Sequence, residues 1–465
     1  MDTVQFVDAI SATPTVRLDL NDDISWGLRY EGTDLSPPEL RRGMSQTLLT
    51  DGATVTAAVY DNRTLRLRLE LIVSSADTAA SRLQALSREL DRPTNVLRWQ
   101  PGTTAPVFFR TLRSPINRIT EVAGSTMLRL VDVDILAEPF AYGLRETLAP
   151  VTVPNNPASP GGCYLDIAGV RGDVETPLYL RLGGDVMGSV YDYRTVAMGI
   201  RRRGTPSQMP MVLQAEAMTT GTATALAASN DPLMSGTGPN YARITPTTSL
   251  MEQRLYATSW PAVATPDVRG RYRILARMRH SQISDVWSVQ LVYGNTTNRP
   301  IYNTPVTVTQ SGVVAYYDLG TIQLPVGADP VYDGYSATET PVGGTRIAVY
   351  AQRVSGTGTL DVDLLQPVPA DDRYAVARVW SDSGSAAGIV DGARHMVYAV
   401  GAGGEVRMPA QPDSPVGGLP LISPGVTNRV VWLVDGGSPR DVLTSTSTLT
   451  PYYWPRYLYA RPPSS

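Results

Sequence analysis

The chain has 465 residues, 42% of them apolar and 18% charged, with a formal net charge of −3. That length accommodates roughly two to four domains with packed cores, and so small a net charge supplies no global field to draw the chain to nucleic acid or to an anionic membrane. All 40 cationic side chains are arginine, so a Walker-type phosphate loop, which needs a lysine, is excluded.

The lone cysteine, Cys163, rules out an intrachain disulfide framework, and two histidines, His280 and His395, leave little material for a metal or nucleophile site. Set in Gly-Gly-Cys-Tyr-Leu, Cys163 reads as a buried structural thiol. No secretory leader and no apolar run long enough to cross a membrane is legible, so assembly in a cytoplasm is expected.

Glycine (40) and proline (37) punctuate short runs rich in Val, Leu, Thr and Tyr, the composition of β-sandwiches. In 65–71, Leu65, Leu67, Leu69 and Leu71 alternate with Arg66, Arg68 and Glu70, which predicts a strand with one wet face. A helix follows, with Ala79, Leu83, Leu86 and Leu90 at helical spacing behind the capping cluster Ser74, Ser75 and Asp77, and Pro93 ends it. Strands are expected at 96–99 and 107–110, flanking the Pro101-Gly102 turn, and at 131–135, where Val131, Val133 and Ile135 alternate with Asp132 and Asp134. These elements make residues 1–145 a β-rich domain with one helix.

Residues 146–162 hold four prolines and read as a linker into a second β-sandwich whose first part is 146–205. From 206 to 369 a self-contained set of strands reads as an inserted jelly roll. Within it, Tyr272, Ile274, Ala276 and Met278 share one face while Arg271, Arg273, Arg277 and Arg279 share the other, and Trp287, Val289, Leu291 and Tyr293 repeat the pattern. Pro367 and Pro369 close it, and the interrupted sandwich is expected to resume over 370–465. The fold class is mainly β throughout.

Catalytic motifs are missing. No Gly-x-Ser-x-Gly elbow occurs, and Gly401-Ala402-Gly403-Gly404 lacks dinucleotide-fingerprint spacing. Acidic pairs such as Asp371-Asp372 or Asp361 and Asp363 could serve a glycosidase, but solvated strand and loop ends account for them as well. The run Arg201–Arg203 has no interleaved aromatics and reads as a solvated or interfacial face rather than a phosphate contact. Neither an enzyme nor any required cofactor is expected.

The order in 65–143 carries a resemblance: an alternating strand, a helix ending Leu86-Ser-Arg-Glu-Leu90, the strand Leu97-Arg-Trp99, a turn, Phe108-Phe109-Arg110-Thr111, and a long strand leading to Glu138-Pro139-Phe140-Ala141-Tyr142-Gly143. It resembles the N-terminal domain of distal tail proteins of long-tailed bacteriophages. Leu421 to Leu433 and Tyr457 to Arg461 look like strand segments of the second sandwich of these proteins. The resemblance implies a structural virion protein of the tail tip, forming a homohexameric ring that joins the tail tube protein to the tip or baseplate, with the hub protein, fibres and tape measure protein as partners. Neither nucleic acid nor a membrane is expected as a partner. Strands at a domain edge can be covered by a neighbouring copy, and Arg88, Arg92, Arg98 and Arg110 are the candidate ring-interface cations. Trp99 is open between an interface anchor and a core position beside the helix.

The insertion departs from that family. Gln214-Ala-Glu216-Ala217, Gly270 to Arg279 and Leu360-Asp-Val-Asp-Leu364 look like the opening, central and closing strands of carbohydrate-binding jelly rolls. That resemblance implies a structural calcium held by Glu216, Asp361 and Asp363, or an empty, degenerate site. Sugar binding needs an exposed aromatic platform, for which Tyr256, Trp260 and Tyr302 are the candidates, with host cell-wall glycan as ligand. Three functions stay open: a ring adaptor, a host-glycan-binding tail protein without a ring role, and a carbohydrate-active enzyme.

Overall fold

The computed structural model describes residues 2–45, 54–122, 127–154, 156, 163–183, 193–201, 212–220, 224–226, 231, 233–236, 240–245, 253–257, 270–295, 301–308, 312, 314–324, 345–370, 374–377, 385–401, 406–407, 416–418, 420–436 and 446–460. The fold is mainly β, with one α-helix among the described residues. Two compact units are present: Met1–Glu146 with Val170–Thr176 and Tyr453–Ser465, and Thr147–Gly169 with Pro177–Tyr452.

The first unit contains β1 (Thr3–Val7), β2 (Val16–Asp19), β3 (Trp26–Asp34), β4 (Leu40–Ser45), β5 (Thr54–Tyr60), β6 (Arg63–Ile72), α1 (Ala76–Leu90), β7 (Thr94–Gln100), β8 (Val107–Leu112), β9 (Ile116–Glu121) and β10 (Leu128–Tyr142). Its main sheet runs β2-β1-β7-β8-β10-β6-β3, and β9 and the short strand Arg456–Tyr457 also pair with β10. The leucine alternation decides the register of β6 on β10: Leu65, Leu67 and Leu69 lie opposite Ile135, Val133 and Val131, and all six are buried. Each such side chain is worth about 1.5–3 kcal/mol, so a one-residue slip, which would turn the whole row into water, is strongly disfavoured.

Helix α1 covers that face with Ala79, Leu86 and Leu90. Ser75 caps it, accepting from the Thr78 amide, and Arg88 in the last turn suits the negative end of the helix dipole. Trp99 is 8% exposed and belongs to this core. The Glu138-Pro139-Phe140 segment is a bulge: pairing with β8 jumps from Ala137↔Thr111 to Ala141↔Phe109. Proline has no N–H to give the ladder, which makes this the natural place for the break. Beyond it, Ala141 and Tyr142 pair with Tyr457 and Arg456.

Strands β4 and β5 form a separate two-stranded sheet, from Leu40↔Tyr60 to Ser45↔Thr54.

In the second unit, strands from either side of the proposed insertion share sheets. Tyr193–Arg201 lies between Asn428–Gly436 and Tyr374–Ala377, and Tyr179–Gly183 lies between Ser385–Asp391 and Thr446–Tyr453. The described strands from Leu213 to Pro369 pair with one another in two six-stranded sheets. One carries Ala242–Ile244, Leu360–Pro369, Gly270–His280 and Ala315–Leu324. The other carries Gln253–Ala257, Thr345–Ser355, Val286–Asn295 and Ile301–Tyr302. Between them Tyr272, Ile274, Ala276 and Met278 meet Trp287, Val289 and Leu291 in one buried core, as the two alternations require.

Candidate functional site

The outer face of the sheet centred on Leu360–Pro369 is closed by ion pairs. Asp363 is fully buried and pairs with Arg277 through Oδ2, while its Oδ1 accepts from the amide and hydroxyl of Ser235, both at 2.8 Å. A register shift opposite Arg277 and Met278 gives this strand one extra residue and accommodates Asp363. Asp361 accepts from Arg243 Nε at 2.7 Å, Arg243 Nη2 at 2.9 Å and Arg279 Nε at 3.2 Å. Arg279 also pairs with Asp231, and Arg243 and Arg279 both lie near the Tyr241 ring, at 5.3 and 5.8 Å from its centroid. Asp361 holds the Arg243 guanidinium above its ordinary pKa. Burial pushes the Asp363 carboxyl up, against the pull of Arg277.

This arrangement corrects the calcium expectation for Asp361 and Asp363. Three guanidinium groups already balance Asp231, Asp361 and Asp363, and the oxygens a divalent ion would take are engaged by N–H and O–H donors. Glu216 stands apart: its Oε2 is buried without a hydrogen-bond partner, and burial, then Asp363, raises its pKa. Gly236, at φ +88°, lies against it, since a Cβ there would come within 2.8 Å of Glu216 Oε1. Among the described residues no group of three or more His, Cys, Asp or Glu side chains is placed to hold a metal ion, so the residues present do not fit the implied calcium.

The outer face of the other sheet is different. Tyr302 lies opposite Val292 on the Val286–Asn295 strand, and Tyr350 lies opposite Gln290 on the other side of that strand. Their rings stack with centroids 6.2 Å apart and planes 25° apart. Tyr302 is 56% exposed. Gln290 donates from Nε2 to the Asn303 carbonyl at 2.6 Å, which fixes its amide. Of the other two platform candidates, Tyr256 takes the register position opposite Ala348 on the same sheet, and Trp260 lies outside the described residues, as do Arg202, Arg203, Asp371 and Asp372. Tyr350 was missed by the sequence reading, although its outward position in the alternation Ile347, Ala348, Val349, Tyr350 was a usable signal.

The four ring-interface arginines do not share one surface. Arg88 is exposed at the end of α1, and Arg92 pairs with Glu89 at 2.8 Å. Arg98 and Arg110 lie on the sheet face away from the helix. Arg98 donates to Gln100 and Gln5, at 2.6 and 3.3 Å. Arg110 sits 4.8 Å from the Tyr142 ring centroid, with Glu138 3.9 Å away. Tyr142 donates to Glu138 at 2.6 Å, and burial pushes its hydroxyl pKa up to about 12. The arginines on β7 and β8 are thus engaged within their own chain. Cys163 donates to the Pro154 carbonyl at 3.1 Å, and burial raises the thiol to about 12, so the thiolate needed for reaction is scarce at neutral pH.

No protein-family model matches the chain, and no curated protein matches it in sequence. Among solved structures, the Dit protein of phage SPP1, described as a paradigm of the hub adsorption apparatus in phages infecting Gram-positive bacteria, aligns at 9% identity. That alignment has a TM-score of 0.37 and covers 98% of this chain and 99% of that one. The phage P2 baseplate in its activated, calcium-containing conformation gives 10% identity, a TM-score of 0.25, and coverage of 80% and 99%. An exo-β-1,3-galactanase from Phanerochaete chrysosporium gives 9% identity, a TM-score of 0.22, and coverage of 65% and 78%. Likeness at these TM-scores carries no argument, and the role of the chain rests on its own residues.

Proposed function

We propose that the chain is an architectural, non-enzymatic component of a bacteriophage tail tip. In this reading the first unit closes with other copies into a hexameric ring between the tail tube and the hub and fibres. The segment 206–369 is an inserted module offered to a host-surface glycan. The order of elements in 65–143 prompts the reading, and the β4–β5 arm carries it.

A two-stranded sheet is marginal in water without a packing partner. Leu40, Met44 and Val59 on this arm are nevertheless exposed, and β2 and β3 end the main sheet with no further strand among the described residues. A cyclic assembly covers such edges through a head-to-tail contact between two different patches. The arm therefore replaces Arg98 and Arg110 as the favoured interface element. Solution mass and electron microscopy of the purified full chain, averaged without imposed symmetry, test this. A hexameric ring dispersed by Met44→Asp or Val59→Asp, with each subunit still folded, is the expected result; a chain that stays monomeric at high concentration refutes it.

A further inference from the structure

We infer that the sandwich of residues 213–369 binds a pyranose glycan on the outer face of its Thr345–Ser355/Val286–Asn295 sheet, with Tyr302 and Tyr350 as the stacking platform. This deepens the glycan part of the reading above and rests on that part, while standing independently of the ring.

Tyr302 and Tyr350 sit on strands that flank Val286–Asn295 on opposite sides, at register positions opposite Val292 and Gln290. Their rings lean across the intervening strand to stack. Val292 and Ala348, which also point outward from this sheet, are only 4% and 5% exposed. An aromatic left 56% exposed while a second ring backs it has already lost much of its rotamer freedom, so a ligand need not order it. Its open surface suits the C–H face of a pyranose, an apolar patch rimmed by hydroxyls.

Polar groups for those hydroxyls stand beside the rings. Gln352 is exposed on the same face, and Gln290, tethered through Nε2, keeps Oε1 directed as an acceptor. The described polar side chains of this face, Ser288, Gln290, Tyr302, Tyr350 and Gln352, are uncharged, and the register places Arg254 opposite Tyr350 and Arg346 opposite Gly294. On the opposite sheet the described arginine and aspartate side chains at the centre of the outer face bond one another instead.

Native affinity electrophoresis of the full chain, in gels containing soluble β-glucan, galactan or mannan, tests the site. Retardation in at least one gel is expected. Tyr302→Ala and Tyr350→Ala should each weaken it by about tenfold, the equivalent of about 1.4 kcal/mol, with the melting temperature of Tyr302→Ala unchanged. Absence of retardation in all three gels overturns the proposal, as does undiminished retardation of the folded double variant. Mass measured on the same samples separates the two readings: a monomer still retarded refutes the ring and retains this site, whereas a hexamer without retardation does the reverse.

Discussion

The two sheets of the 213–369 sandwich contribute to one core, yet they finish their outer faces with opposite chemistry. One buries Asp361 and Asp363 under Arg243, Arg277 and Arg279; the other leaves a tyrosine pair and glutamines at the surface. Every residue of Leu360–Pro369 is buried, so charges there must be compensated within the protein. Tyr302 retains contact with water and requires no such compensation. One face is therefore committed to stability, and the other is the face proposed above to take a ligand.

The largest effect expected from breaking this contrast is at Arg277. Arg277→Met leaves the buried Asp363 carboxyl without its cation, at a cost of about 3–5 kcal/mol, read as a lower denaturation midpoint. Adding Asp363→Asn should recover most of that loss, since removing both charges together is far milder than removing one. Asp361→Asn should cost less, about 1–3 kcal/mol, because Arg243 is 41% exposed and can turn to water.

Glu216→Gln tests the spare acceptor. The folded pKa of Glu216 is raised above its ordinary 4.5, so the folded state prefers the protonated form and loses stability as pH rises from the unfolded pKa through the raised folded one. At pH 7 the variant should melt about 1–2 °C higher than the parent, and the gap should close below about pH 4; a gap of constant size would contradict the burial argument. The smallest effects should come from chelation and from the aromatic face. Excess EDTA should leave the melting temperature of the module unchanged, and Tyr302→Ala should alter stability by no more than about 0.5 kcal/mol, measured by urea titration.

Alternation made much of the fold legible. The leucines of β6, the spacing of α1 and the two facing patterns of the sandwich all occupy the faces that their periodicity predicts. The site was less legible. Asp361 and Asp363 were singled out as acids on a closing strand, with a calcium site and an empty one both left open, and arginines from other strands pair with them. Arg98 and Arg110 were expected as ring-interface cations; within the unit Arg98 bonds Gln5 and Gln100, and Arg110 lies beside Glu138 and Tyr142.

The sequence by itself determined a mainly β chain, the inward face of its clearest strands, and the exclusion of a lysine-bearing phosphate loop and of intrachain disulfides, because periodicity and composition are local properties. Tertiary structure alone decided that Arg243 meets Asp361 across 118 residues and Arg277 meets Asp363 across 86, and that Tyr302 finds Tyr350. Which strands become neighbours, and in what register, is set by the packing of the whole sandwich, so the chemistry of each outer face emerges only once the strands are in place.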